Sequence, residues 1–374
     1  MKMLVQFFAI AIVCLALSPY ASGAQEKIPI GVIYGEAGRT TEGLSLELLG
    51  TRFAVEELNR NGGILGKQID LVELDNNNWP FGSRLAAQKA VDAGVVALIG
   101  PTSSSHAMLA GAVLQDAKIP MITTFATNPE VTLLGDYIFR INFSDTLQGH
   151  ALADFAIQDL GANTAVILTC ADEKYSIGLS EIFRASYQEN SGKVLWEGTY
   201  LKNYTDFQDL LEKATRYNPD IVFLPGYDQS SGFMIRQCRN LGKNVVFLGA
   251  DAWSDSMYQY GGDTIEGSYF SGAWYLGSNN PITRDFVGRY KDRFQSSEII
   301  SLGLSHDAVY LLADAIRRAK SPAPSATRDA LATTKNFQGV TGTLTMDQNG
   351  DPLKPIPIYR FEKGTSVLVK TVAP

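Results

Sequence analysis

Three serines stand where a helix is predicted to begin. Ser103, Ser104 and Ser105 precede His106 and a stretch with the apolar spacing of a helix. The first turn of a helix has unpaired backbone N–H groups and the positive end of the helix dipole, which suit an anion such as a carboxylate. A serine in this place can also simply cap the helix. Thr127, just after the next predicted strand, adds a further hydroxyl and favours a ligand site.

One acidic residue follows a later predicted strand. Asp251 has Trp253 nearby in the chain, and no basic residue adjoins it. A carboxylate enclosed in a closing cleft is costly unless a cation pairs with it, so one interpretation is a site for a cationic group. The other is a turn aspartate, which is common in glycine-rich loops. Tyr175 and Tyr227 also follow strands, and their rings either wall a ligand or belong to the edge of the core.

The chain lacks the usual signatures of catalysis and cofactor binding. Neighbouring Ser and His residues at one helix start do not give triad geometry with Asp172 or Asp251, and Gly-x-Ser-x-Gly is absent. No Walker-type loop or dinucleotide fingerprint occurs. His106, His150 and His306 share no metal-ligand spacing. We therefore expect a protein that is not an enzyme and binds neither a cofactor nor a metal.

The charge of the chain and the residues at its N-terminus limit the classes of protein to which it can belong. The 374 residues include 32 basic and 39 acidic side chains, so a basic surface for nucleic acid or anionic lipid is not expected. Lys2, an apolar run over 3–17 and small residues up to Ala24 have the form of an export signal, with cleavage expected after Ala24. The apolar run is shorter than the ~20 residues that span a bilayer. Cys14 lacks the small preceding residue that lipid attachment requires.

Two cysteines remain after such cleavage. Cys170 and Cys238 each lie in or beside an apolar run, where buried free thiols are common. A disulfide between them is the alternative in an oxidising compartment. We expect free thiols, because a chain of this length builds a core without a disulfide.

Short apolar runs rich in branched residues alternate with longer amphipathic stretches. Strands are predicted at 28–34, 68–75, 95–99, 121–123, 164–170, 194–200, 221–224, 245–249, 267–272, 343–346 and 356–361. Helices are predicted at 43–61, 83–93, 105–117, 147–160, 178–191, 207–217, 232–241, 281–295, 306–318 and 325–333. The rhythm restarts at residue 147, which predicts two α/β halves built on parallel sheets.

The residues directly after the predicted strands are unusually polar. They are Tyr34 and Gly35, 100–105 (GPTSSS), 123–127 (TTFAT), 171–175 (ADEKY), 225–228 (PGYD) and 249–253 (GADAW). In parallel sheets, ligands bind beyond the carboxyl ends of the strands. A cleft between the two halves, lined by these residues, is therefore the expected ligand site.

At these positions the sequence resembles the periplasmic leucine/isoleucine/valine-binding proteins of branched-chain amino acid ABC transporters. The resemblance covers nearly all of the chain after the export signal. It rests on the order and spacing of 30–33 (IGVI), 54–66 (AVEELNRNGGILG), 100–105, 126–130 (ATNPE), 139–145 (FRINFSD) ahead of Gln148 and Gly149, and 305–314 (SHDAVYLLAD). It implies an α/β fold of two doubly wound parallel-sheet lobes joined by a hinge, the type I periplasmic binding protein fold.

Within that fold we expect a discontinuous division into lobes. Residues 25–146 and 276–349 would form the N-terminal lobe, and residues 147–275 and 350–374 the C-terminal lobe. The ligand would dock on the first lobe, and closure of the second would exclude water from it.

The family's ligand contacts fall on particular residues of this chain. Ser104 matches the helix serine that holds the ligand carboxylate. Thr127 matches a threonine whose hydroxyl and backbone amide meet the ligand, and Phe125 a residue used through its backbone carbonyl. Asp251 stands where an acid pairs with the ligand ammonium, and close relatives have glutamate there. The aromatic residues of the second lobe match Tyr175 and Tyr227, and the remaining candidates for the pocket wall are Tyr34, Arg39, Ser105, Ala126 and Trp253.

Two departures from the family concern the pocket. Some relatives join two cleft loops by a disulfide, and here those places hold Asn78 and Ser103. The stretch 36–43 lacks an aromatic residue that some relatives have and carries Arg39 instead. Of the other charges near the strand ends, Asp172, Glu173 and Asp228 are expected at the edge of the cleft, and Asp307 is expected to begin a helix.

The resemblance implies a monomeric, periplasmic solute-binding protein of an ABC importer. It would close around a free amino acid, with a neutral or branched aliphatic side chain, and present it to a membrane permease. Nucleic acid is not an expected partner. A binding protein or periplasmic sensor for another small solute, such as an amide, urea or an aromatic acid, remains open as the alternative.

Overall fold

The structure is a computed structural model that describes residues 26–35, 45–294 and 299–374. The predictions for the export signal over 1–24, with Cys14, and for the stretch 36–43, with Arg39, lie outside the described residues. The first part of the chain alternates strand and helix: β1 (Ile28–Tyr34), α1 (Leu46–Arg60), β2 (Ile69–Asp75), α2 (Pro80–Asp92), β3 (Ala97–Ile99), α3 (Ser104–Asp116), β4 (Met121–Thr123) and β5 (Ile138–Arg140).

The same alternation continues through the middle of the chain. Its elements are α4 (Asp145–Gln158), β6 (Thr164–Cys170), α5 (Lys174–Glu189), β7 (Lys193–Tyr200), α6 (Gln208–Thr215), β8 (Ile221–Phe223), α7 (Asp228–Asn240), β9 (Val246–Leu248), α8 (Tyr258–Gly261) and β10 (Tyr269–Ser271). The last part contains α9 (Pro281–Phe294), α10 (Ile299–Ala319), α11 (Pro324–Ala332), β11 (Phe337–Gly339), β12 (Gly342–Met346), β13 (Pro352–Leu353), β14 (Ile356–Glu362) and β15 (Thr365–Val372).

Two large sheets organise these elements. The first has the order β2-β1-β3-β4-β5 and is parallel throughout. The second has the order β15-β14-β10-β9-β8-β6-β7; it is parallel from β7 to β10 and antiparallel where β14 and β15 join. A small antiparallel sheet pairs β11, β12 and β13. The predicted α/β class with two parallel sheets is confirmed.

Helices cover both faces of the first sheet. Val32 and Ile33 are neighbours on β1, so their side chains point to opposite faces. Val32 belongs to a hydrophobic cluster with residues of α1 and α10, and Ile33 to a separate cluster with residues of α2 and α3. Burial on both faces explains why this strand is a continuous apolar run.

The chain returns to the first sheet after building most of the second. The larger core of the first sheet joins residues from 28–141 with residues from 273–346, and α10 packs against α1. The cores of the second sheet join residues from 152–270 with residues from 358–361. Although α10 has the length and apolar composition of a membrane span, most of it is buried in the first core.

Several helices begin earlier than the sequence predicts. α5 and α7 begin at Lys174 and Asp228, each four residues before the glycine that was expected to open the helix. Both glycines lie inside the helix because a neighbour approaches closely: a Cβ at Gly178 would lie 2.4 Å from the Asn128 side chain, and one at Gly232 would lie 2.8 Å from Tyr260. Close packing, and not helix initiation, accounts for these glycines.

Asp307 does not begin a helix, as the sequence suggested, but lies inside α10. Its carboxylate accepts hydrogen bonds from the backbone N–H groups of Val340 and Thr341, at 2.7 and 2.8 Å, and from the Thr341 hydroxyl at 2.6 Å. Asp307 is buried. It therefore fixes the turn between β11 and β12 onto the helix.

Replacing Asp307 with alanine should lower the free energy of unfolding by about 2–3 kcal/mol, because two buried N–H groups lose their acceptor. Urea unfolding of Asp307→Ala measures this. The matched control is Asp314→Ala on the same helix, whose exposed pair with Arg318 should contribute under about 0.5 kcal/mol. An equal effect of the two substitutions would contradict the assignment.

Candidate functional site

The serine and threonine loops of the first sheet meet at the carboxyl ends of β3 and β4. Ser104 is the first residue of α3, and its Oγ accepts a hydrogen bond from the backbone N–H of Asn128 at 3.3 Å. Ser103 stands at the cap position but its hydroxyl contacts His106 and makes no capping bond. Ser104 therefore holds the loop that carries Thr127, and helix capping does not explain it.

Asp251 lies just after β9 and is buried, with 8% of its surface exposed. Its carboxylate accepts hydrogen bonds from the Tyr175 hydroxyl at 3.0 Å and from the Asn142 side chain at 2.9 Å. Its backbone N–H donates to the Gln148 side chain at 3.0 Å. Within the described ranges no basic side chain pairs with Asp251. The carboxylate thus keeps acceptor capacity that a cation could use.

A second buried carboxyl, Asp145, lies close to Asp251. It opens α4 and is fully buried, and one oxygen accepts from Gln148 at 2.7 Å. Its backbone N–H donates to the Thr127 carbonyl at 2.7 Å. The other carboxyl oxygen makes no well-formed hydrogen bond with a described residue, although the Thr127 hydroxyl lies near enough to lower the pKa of Asp145. The two acids, Asp145 and Asp251, therefore lie together beside Thr127.

Burial dominates the titration of both acids. Burial and, to a smaller extent, the charge of Asp251 together raise the pKa of Asp145 to about 8, against the lowering effects of Thr127 and Arg140. Burial also raises the pKa of Asp251. The net value is about 6, because the hydrogen bonds with Tyr175, Gln148 and Asn142 oppose the effect of burial. Two like charges in one dry place disfavour each other, so the pair holds protons well above the usual range of aspartate.

Two tyrosines of the second sheet complete this cluster. The rings of Tyr175 and Tyr227 lie 5.8 Å apart, and burial raises the pKa of both hydroxyls, so both stay protonated donors. Tyr175 donates to Asp251, whereas Tyr227 donates to Glu173 at 3.3 Å. The ammonium of Lys202 lies 4.4 Å from the centre of the Tyr227 ring and occupies one of its faces.

Glu173, which the sequence predicts at the edge of the cleft, is buried. Its carboxylate accepts from Lys202 at 2.6 Å and from the Ser105 hydroxyl at 3.2 Å. The Ser105 Oγ also accepts from the backbone N–H of Lys174, and the Asn128 side chain donates to the carbonyl of Lys174 at 2.7 Å. Loops that follow strands of the first sheet therefore form hydrogen bonds with the start of α5, which packs on the second sheet.

The remaining candidates for the ligand contacts and the pocket wall lie outside this cluster of acids and tyrosines. Tyr34 is half-buried at the end of β1, where its carbonyl accepts from Asn76. Phe125 is partly buried against the first core, and Ala126 is fully enclosed. Trp253 lies in the core of the second sheet, where it contacts Phe270 and Phe361 and donates to Ser231, so packing accounts for it.

Arg140 is a positioning residue that the sequence did not single out. Its guanidinium is fully buried and donates to the carbonyls of Ala126 and Asn128, at 2.8 and 2.9 Å, on either side of Thr127. The same group pairs with Asp351 at 2.5 Å. Arg140 ends β5, and Asn142 and Asp145 follow it, at a strand that the sequence analysis does not predict. Their segment was noted only as a marker of resemblance.

No cluster of three or more His, Cys, Asp or Glu residues suited to a metal occurs in the part of the chain that the structure describes. Both Cys170 and Cys238 are buried free thiols, as predicted.

The acidic pair predicts how stability depends on pH. An unfolded Asp145 releases its proton near pH 4, whereas the folded protein keeps it up to about pH 8. Over this window folding takes up a proton, so this residue makes the free energy of unfolding fall as pH rises, by up to about 1.4 kcal/mol per unit. As pH rises from 5 to 8, the free energy of unfolding of Asp145→Asn should therefore increase relative to that of the unmodified protein. Urea unfolding at several pH values measures this difference. A difference that stays constant with pH would contradict the burial of a protonated Asp145.

Comparison with known proteins gives consistent results. A family described as periplasmic binding protein matches residues 27–366. The Leu/Ile/Val-binding protein homolog 3 of Brucella melitensis is 26% identical over 93% of this chain and 95% of its own length. A leucine-binding protein from Thermotoga maritima superposes with a TM-score of 0.86 at 29% identity, covering 93% of this chain and 99% of that one. The Streptococcus pneumoniae branched-chain amino acid binding protein, solved with isoleucine, has a TM-score of 0.83 at 27% identity, with 93% and 99% coverage.

Proposed function

The chain belongs to the periplasmic binding protein family, and from this premise we propose that it is the solute-binding protein of an ABC importer for a free amino acid. Neutral amino acids with branched side chains are the first candidates, because relatives over nearly the whole chain are named for leucine, isoleucine and valine. The proposal includes no catalytic step.

The observation that carries the proposal is the buried acidic pair. Asp251 and Asp145 lie next to the Thr127 loop, and no described basic side chain neutralises Asp251. An ammonium group placed there would gain a carboxylate acceptor and would relieve the repulsion between the two acids. Ser104, at the start of α3, supports the opposite end of the ligand, because hydroxyl and helix N–H donors suit a carboxylate.

The proposed mechanism is domain closure. The ligand docks on the Ser104 and Thr127 loops, and Phe125 contributes its carbonyl. The second lobe then brings Asp251, Tyr175 and Tyr227 over it and excludes water, which strengthens each polar contact. The ligand favours closure only through contacts that the open form lacks.

The lobe division is part of this proposal. We assign residues 25–146 and 276–349 to one lobe, and residues 147–275 and 350–374 to the other. The hydrophobic cores support this assignment to within a few residues of its boundaries, since one joins 28–141 with 273–346 and the others join 152–270 with 358–361. The three connections between the lobes would act as the hinge.

Export to the periplasm and delivery to a membrane permease complete the proposal. Residues 1–24 have the form of an export signal, and the family description is that of a periplasmic protein. The permease would recognise the closed form.

A thermal-shift screen over the free amino acids, amides, urea and aromatic acids tests the proposed function. A true ligand stabilises the folded state by RT ln(1 + [L]/Kd), so amino acids should raise the melting temperature and solutes without an ammonium should not. Stabilisation by urea or an aromatic acid alone would replace the proposal with the alternative solute class.

Replacing Asp251 with asparagine should weaken amino-acid binding by about 2–5 kcal/mol in isothermal titration calorimetry. The substitution keeps an acceptor for Tyr175 but removes the charge that pairs with the ammonium. Asp255→Asn, four residues away and exposed, is the matched control and should bind normally. A loss under about 0.5 kcal/mol in Asp251→Asn would reject its role.

A further inference from the structure

A small cavity adjoins the two loops that carry Ser104 and Thr127. Thr102 and Phe125 are among the residues that line it. Each of these lies two residues before one of the proposed head-group contacts, and two residues of chain span at most about 7 Å. A side chain that leaves an amino acid bound at Ser104 and Thr127 can therefore reach this cavity.

The cavity wall is polar. Beside the apolar Leu46 and Phe125, every described lining side chain ends in oxygen: Glu47, Thr102, Thr124, Ser301 and Ser305. These residues come from the start of α1, from the loops after β3 and β4, and from α10. Such a wall is unusual for a pocket that would hold only a hydrocarbon side chain, since ligand pockets are mostly apolar with few polar groups.

Three of the four hydroxyl hydrogens of this wall are already engaged. The Thr102 hydroxyl donates to Glu47 Oε2 and the Thr124 hydroxyl to Glu47 Oε1, both at 2.5 Å. The Ser305 hydroxyl donates to the carbonyl of Ser301 at 3.2 Å. A hydroxyl has one hydrogen and two lone pairs, so these groups have only acceptor capacity left.

Glu47 adds to this excess of acceptors. It is buried, with 4% of its surface exposed, and among the residues that the structure describes no basic side chain pairs with it. Burial raises the pKa of Glu47 to about 7 against the lowering effect of Thr102 and Thr124. An acidic ligand side chain would add further acceptor oxygens to a wall that already has an excess of them. A side chain that donates a hydrogen bond would find acceptors there.

A purely structural role for Glu47 explains part of this arrangement, because its two hydrogen bonds tie α1 to two loops. It does not explain why the oxygens border a cavity. A hydrocarbon side chain in that cavity would strip water from the acceptors without replacing its hydrogen bonds, and sites built to pair with a polar group reject the analogue that lacks it.

We propose that this cavity receives the ligand's side chain and selects, among free amino acids, a side chain that donates a hydrogen bond near its Cα, such as the hydroxyl of threonine, over a hydrocarbon of the same shape. The inference rests on the proposed amino-acid function and names the substrate class more closely.

Threonine and valine test it directly, because they have nearly the same shape and differ by one hydroxyl. In calorimetric titration of the full-length exported protein, threonine should bind at least about tenfold more tightly than valine, which is about 1.4 kcal/mol. Thr102→Val and Ser305→Ala each remove one acceptor from the wall and should reduce this ratio severalfold. Thr365→Val, in the second sheet, is the matched control and should leave the ratio unchanged.

The outcomes separate the inference from the function on which it rests. Tight binding of valine or leucine with weaker binding of threonine would overturn the inference and leave the amino-acid function intact. A threonine preference that both cavity variants retain would overturn the assignment of the preference to this cavity. Failure of every amino acid to bind would reject both the function and the inference.

Discussion

The arrangement of the cleft depends on two carboxyl groups that are buried together without a partner cation in the described chain. Asp251 comes from the second sheet, and Asp145 from the segment that leaves the first. Their hydrogen bonds reach Tyr175, Asn142, Gln148 and the Thr127 loop, so both sheets contribute to one network. Ionisation of both acids in this dry place is unfavourable, and in the proposed function the ligand ammonium would remove the conflict. Under that proposal, a stability cost in the unliganded protein becomes selectivity for a cationic head group.

The polar contacts around the pair show how the two sheets can act as one site. Ser105 and Asn128 on the first sheet bond to Glu173 and Lys174 on the second. These contacts flank the loops proposed to hold the ligand. Arg140 keeps the Thr127 loop in place from behind through its two carbonyl contacts. The loops are therefore held in position by bonds that do not involve a ligand.

Much of this architecture could be predicted from the sequence. The strand-helix rhythm predicted two parallel sheets, because a strand buried on both faces is a continuous apolar run. Because the carboxyl ends of parallel strands meet at one edge of a sheet, the polar strand ends were expected to lie together, and the structure brings Thr127, Asp251, Tyr175 and Tyr227 into one connected cluster. Their roles toward a ligand remain predictions.

Other features depend on contacts between distant parts of the chain and have no local signal. Glu173 is a charged residue in a loop, and it is buried where Ser105, Lys202 and Tyr227 approach it. Trp253 follows a strand as a pocket residue would, but long-range packing on Phe270 and Phe361 draws it into the core. Asp145 is not among the predicted site residues because no strand is predicted at β5, so no strand end is located there.

The most direct test of the acidic pair compares one ligand with its two fragments. The amino acid that stabilises the protein most would be titrated by calorimetry beside the amine that lacks its carboxylate and the acid that lacks its ammonium. Loss of either group should weaken binding at least about 100-fold, or about 2.7 kcal/mol, because each end has its own set of partners. Binding of the ammonium-free acid within tenfold of the amino acid would show that Asp251 and Asp145 do not hold the ligand.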